Sequence, residues 1–202
     1  MSEKSGQPTT ARIEAFSDGV VAILITIMIL ELKVPFAVLE HNSLPELLRS
    51  VGPPLLSYVL SFIAIAITLL NHHSLMRIAP HATPGLYWVN ALLLFFMSLI
   101  PLATKALGDN PSGTLAVAFY GVILGATSVG FTLVHAYVET LAAAHGRVNP
   151  RRRRDIWIDV LSCAVYFLGA ALAFVSVYLS FAAYVGVPTI YFIPRYGNRS
   201  ET

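Results

Sequence analysis

The stretch SVGPPLLSYVLSFIAIAITLLNHHSLM, Ser50 to Met76, runs for 27 residues without an Asp, Glu, Lys or Arg. A helix needs about 20 apolar residues to cross the hydrocarbon core of a bilayer, so this run reads as a membrane span. Three more charge-free runs lie downstream: Ile78 to Thr104 (27 residues), Asn110 to Val138 (29) and Val160 to Pro194 (35). Over all 202 residues 56% are hydrophobic and 12% charged, against about 25% charged in an average soluble domain. A water-soluble globule is excluded, and a polytopic all-α membrane protein is indicated, because a helix satisfies its own backbone polar groups inside lipid.

Outward from that run, the chain divides into six predicted spans within one domain, residues 1–202. The first covers about 11–34 and stops before Pro35, which disfavours helix in the residue preceding it. Its charge-free core, Gly19 to Leu30, is only 12 residues. Span two, about 53–73, follows Pro53-Pro54 as a helix first turn. Spans three and four cover about 86–106 and 113–142, the latter carrying Gly121 and Gly125 in a small-xxx-small arrangement that lets helices approach closely. The last charge-free run is too long for one span and reads as a hairpin, about 155–175 and 179–194, turning near Ser176 to Ser180. The polar Met1–Thr10 stretch and the lack of a small-residue cleavage site argue against a cleavable signal peptide.

Lys and Arg orient the spans, since short cytoplasmic loops are enriched in them. With both termini cytoplasmic, ten fall inside (Lys4, Arg12, Arg77, Arg147, Arg151, Arg152, Arg153, Arg154, Arg195, Arg199) and three outside (Lys33, Arg49, Lys105). The net charge of +2 is too small to imply nucleic acid. Cys163 is the only thiol, so no disulfide framework exists.

Ionisable groups inside a membrane are costly and mark functional candidates. Arg12, Ser17 and Asp18 enter the membrane on the first helix; a hydrogen-bonded polar knot at a snorkelling helix end accounts for them equally well. Ile23, Thr26, Ile27 and Leu30 recur at i, i+3, i+4 and i+7, one stripe of that helix; taken alone the stripe is packing surface. Asn71, His72 and His73 close the second helix, and His81 follows. Adjacent histidines point about 100° apart, which suits a hydrogen bond from one of them to Asp18 better than chelation of a metal, so no metal site and no cofactor are expected. The Arg151–Arg154 run fits a positive-inside anchor on anionic lipid, with Glu139, Asp155 and Asp159 as its nearby carboxylates. Hydrolase, nucleotide-binding, zinc-protease and Thr-Val-Gly-Tyr-Gly motifs are all absent from the sequence. An enzyme is not indicated.

Arg12-Ile-Glu-Ala-Phe16-Ser17-Asp18-Gly-Val-Val-Ala-Ile, followed by Leu30-Glu-Leu-Lys-Val-Pro, closely resembles the first helix of the endolysosomal potassium channel family, whose bacterial members have one six-helix repeat per chain. The signature is Arg-x(3)-Phe-Ser-Asp. Asn71-His72-His73, Leu86-Tyr-Trp-Val-Asn90 and Ser98-Leu-Ile-Pro101 are similar to the family's second and third helices. Where family members often carry a Trp before the His, this chain reads Thr68-Leu69-Leu70. The resemblance implies a homotetramer in a bacterial cytoplasmic membrane. Its first helices would line a potassium-selective pore, with Ile23 the narrowest ring, then Thr26 or Ile27, then Leu30. The alternative carried by the residues is a small proton-coupled secondary transporter using Arg12, Asp18 and His72.

Overall fold

The computed structural model describes residues 9–32, 44–147 and 149–191. Among them every regular element is a helix: α1 Ala11–Leu30, α2 Leu44–Ile78, α3 Pro84–Ser98, α4 Ile100–Asp109, α5 Thr114–Ala144, α6 Arg152–Leu172 and α7 Val177–Tyr191. Five helical stretches are long and apolar enough to cross a membrane: α1, α2, α3 with α4 as one stretch, α5 and α6. The shorter apolar α7 folds back against α6.

Helix α5 is the centre of the bundle. It packs on α3, α4, α6, α2 and α7, and its core residues include Val117, Tyr120, Phe131, Val134 and Val138. Close approach is arranged by glycines that leave no room for a Cβ. A Cβ on Gly130 would stand 2.9 Å from the backbone Cα of Leu93 on α3. A Cβ on Gly121 would collide with the Tyr184 ring of α7, whose hydroxyl instead donates to the Val117 carbonyl at 2.9 Å. A second polar link crosses the core. Tyr120 Oη, Ser61 Oγ and Thr104 Oγ1 follow one another at 3.0 and 2.7 Å, joining α5, α2 and α4, and Thr104 ends the chain on the Ile100 carbonyl at 2.8 Å.

Several boundaries differ from those read in the sequence. Pro53 and Pro54 do not begin the second helix but lie inside it, nine residues after Leu44. Proline removes an N–H donor, so Pro53 and Pro54 leave the Arg49 and Ser50 carbonyls one turn earlier without their helical donors, but Arg49 is exposed and Ser50 half-buried near the start of the helix, where water can take the donors' place. The third span is broken in two at Leu99, whose N–H bonds three residues back to Phe96; Pro101 cannot donate and the α-helical ladder is interrupted there. Thr83 starts α3 by accepting from Leu86 N at 3.1 Å with Pro84 at the first turn, a regular capping arrangement. Arg152, Arg153 and Arg154 form the first turn of α6 rather than a loop. The hairpin turn falls at residues 173–176, one turn earlier than expected, because the Ser176 carbonyl already accepts from Leu179 and Ser180 and so begins α7. Helix α1 ends at Leu30; positions 33–34 of the first predicted span and 192–194 of the last lie outside the described residues.

Candidate functional site on the first helix

Helix α1 has two unlike faces. Ile13, Ser17, Val21, Leu24 and Met28, spaced by three and four residues, are buried against the rest of the chain. The opposite side exposes Phe16, Ile23, Ile27 and Leu30 by 59%, 58%, 44% and 79%. Thr26 is exposed there too, and its hydroxyl donates to the Ile23 carbonyl at 2.9 Å. That bond consumes the Thr26 proton and leaves the oxygen lone pairs free to accept. The sequence stripe therefore coincides with the face of α1 that the rest of the chain does not cover.

Beneath this face lies a polar knot. Ser17 Oγ donates to the Ile13 carbonyl at 2.9 Å and accepts from Asn90 Nδ2 at 3.0 Å. Asn90 Oδ1 lies 2.7 Å from His72 Nε2; an amide oxygen only accepts, so Nε2 carries the proton. Ser17, Asn90 and His72 are all buried, and the bonds tie α1 to α3 and α3 to α2. Buried polar groups need such partners. A second pair sits beside it at the surface of the bundle: His73 Nε2 meets Asp18 Oδ1 at 2.7 Å, with both side chains partly exposed.

The structure thus brings Ser17 and His72 together through a residue that the sequence reading quoted without assigning a role, Asn90. Its signal was present as an amide in the middle of a 27-residue charge-free run. Asp18 finds the second histidine, not the first. Arg12 and Phe16 are exposed on α1, outside the knot. Asn71 is also apart from it, lining a cavity of about 40 Å³ with Thr68, Thr127 and Ser128, large enough for a water molecule or two.

Sequence reasoning also missed a buried group between α5 and α6. His135 of α5 bonds through Nδ1 to Asp159 of α6, and Glu139, one turn along α5, accepts from Asn149 Nδ2 at 2.9 Å. Glu139 and Asp159, read in the sequence as carboxylates for the arginine run, are buried in these contacts. The His-x-x-x-Glu spacing was the available clue. Among the described residues no group of three His, Cys, Asp or Glu is arranged to hold a metal ion.

Fold and site define a multi-pass all-α membrane protein whose first helix keeps one face free. The family model described as endosomal/lysosomal potassium channel TMEM175 matches residues 12–101, which contain the knot and the stripe. A potassium channel of a Chryseobacterium species is 34% identical over 186 residues, covering 92% of this chain and 94% of that one. A potassium channel of Chamaesiphon minutus is 31% identical over 89% of this chain and 92% of its own. In three dimensions the chain is similar to the crystal structure of a lysosomal potassium-selective TMEM175 homolog from Chamaesiphon minutus, with a TM-score of 0.79 and 28% identity over 94% of this chain and 98% of that one. The chain belongs to the TMEM175 family, whose members here are ion channels and not enzymes.

Proposed function

We propose that this chain is the subunit of a potassium-selective cation channel in which α1 helices from four copies surround a central pore. The bacterial relatives named potassium channels support the ion. The observation that carries the placement of the pore is the free face of α1. Its charge-free core of 12 residues rises only about 18 Å, well short of the roughly 30 Å hydrocarbon thickness. Asp18 and Glu31 bound this short core and stay partly exposed beside their partners, and charged groups so close along one helix suit the neighbourhood of a water-filled path enclosed by copies of it better than full exposure to lipid.

In this arrangement Ile23 forms a hydrophobic constriction that stops conduction by shedding water. Four isoleucine side chains offer no oxygen to a cation. The ring of Thr26 hydroxyls one turn away does, and Leu30 follows toward the outer mouth. The buried Ser17–Asn90–His72 knot holds the inner half of α1 at a fixed distance from the subunit core, so that the ring radius is set by packing. Arg151 to Arg154, at the cytoplasmic end of α6, rest on anionic lipid headgroups, both termini are cytoplasmic, and the membrane is a bacterial cytoplasmic membrane.

The test is assembly measured together with flux. Native mass spectrometry in detergent is expected to give a tetramer, and liposomes containing it are expected to pass potassium down its gradient without proton coupling. A monomer or dimer that still conducts, or flux that depends on a proton gradient, would overturn this reading, the second outcome in favour of a transporter.

A further inference from the structure

The outer end of α1 carries a charge on the unfavourable side. Glu31 caps the helix C-terminus, its N–H bonding to the Ile27 carbonyl at 3.3 Å, and no basic residue lies in the last turn. A carboxylate at that end opposes the helix dipole, so the position needs a compensating cation from elsewhere. Lys105 of α4 supplies it, with Nζ 3.4 Å from Glu31 Oε2 and 3.3 Å from Asp109 Oδ2. Its sequence neighbour Thr104 touches α1 one turn lower, Oγ1 standing 3.7 Å from Met28 Sδ. Two consecutive residues of α4 therefore grip two successive turns of α1.

The α4 platform is itself braced. Thr104 is bound to Ser61 and through it to Tyr120, and Gly108 lies so close to α2 that a Cβ there would stand 2.9 Å from Pro54 Cα. Arg49 of α2 lines the same outer cleft of about 410 Å³ as Glu31, Lys105 and Asp109.

We propose that Lys105 is a positioning residue that fastens the outer end of the pore helix through Glu31, with Asp109 orienting its ammonium group, and so fixes the width of the pore between Thr26 and Leu30. The inference rests on the reading of α1 as the pore helix. A pore without a cage of protein carbonyls discriminates by width and partial dehydration, so freeing this end relaxes discrimination more than it reduces assembly.

The experiment measures the potassium-over-sodium permeability ratio from reversal potentials in planar bilayers under bi-ionic conditions. Lys105→Met and Glu31→Gln are each expected to lower the ratio by about twofold or more, and the charge swap Glu31→Lys with Lys105→Glu to recover it, a rescue that loss of packing alone would not produce. Arg49→Gln, which removes a charge from the cleft but not from the latch, is expected to leave the ratio at the native value. Ile23→Asn is run alongside to separate the two claims. Native ratios in both single variants while Ile23→Asn still alters flux would overturn the latch and leave the pore standing. No response from any of the three would overturn both.

Discussion

Asn90 and His72 meet at 2.7 Å in the interior of the subunit, and the other end of the same amide holds Ser17 at 3.0 Å. One side chain on α3 thus sets the spacing of α1 from α2. Replacing it with an isosteric apolar residue, Asn90→Leu, strands the His72 donor and removes a bond from Ser17. Each buried orphan costs about 1 to 3 kcal/mol. The detergent-solubilised protein is expected to melt at a clearly lower temperature. Adding His72→Leu is expected to recover part of the loss, because removing both partners is far less costly than removing one. Unchanged melting in Asn90→Leu would show that the knot does not hold α1.

The neighbouring pair behaves differently. Asp18 and His73 are also 2.7 Å apart but lie partly exposed on the subunit, where an ion pair contributes roughly 0 to 1 kcal/mol. Asp18→Ala is therefore expected to shift the melting temperature much less than Asn90→Leu in the same assay. An equal or larger shift would mean that assembly buries this pair against a second subunit.

The contrast between the two histidines shows what the sequence can and cannot tell. Adjacent positions on a helix face about 100° apart, so only one of them could reach Asp18, and the sequence leaves open which. The choice is made by α3, whose Asn90 claims His72 and turns His73 outward; a partner 18 residues away leaves no trace in local periodicity. Most spans were legible because the cost of charge in lipid writes them as charge-free runs, although α1 keeps only 12 such residues and α6 and α7 share one run. Their ends were not. Pro53 and Pro54 look like a helix start and are tolerated inside α2 because the carbonyls they free lie at a partly exposed end, while Pro101 does interrupt its helix, at Leu99. The face of α1 that would line a pore was visible as a stripe, but a stripe has the same spacing whether it packs inward or is left free.

The close approach of α5 and α7 gives a third test. Gly121 accepts the Tyr184 ring directly above it, and the hydroxyl continues to the Val117 carbonyl at 2.9 Å. Gly121→Ala forces that ring aside at an overpacking cost of about 1 to 3 kcal/mol. A lower melting temperature is expected, partly restored by Tyr184→Phe, which removes the atom that collides first. If Gly121→Ala melts like the native protein, the two helices are not in contact at this point.

Ile23 supplies the sharpest comparison, because pore and packing readings predict opposite signs at this one position. Ile23 is 58% exposed on the free face of α1, whereas Ile25, two residues on, is half-buried against the core. If four Ile23 side chains close the path by excluding water, a residue of similar size that holds water eases rewetting, and Ile23→Asn raises potassium flux into liposomes. The same change at Ile25 puts an unpartnered amide against apolar neighbours, which costs stability and adds no water to the path. Increased flux from Ile23→Asn with unchanged or reduced flux from Ile25→Asn is the expected result, measured at equal amounts of assembled protein. Equal loss in both would mean that α1 does not line the pore through Ile23, and its exposed stripe would then be a surface for lipid or for a neighbouring subunit.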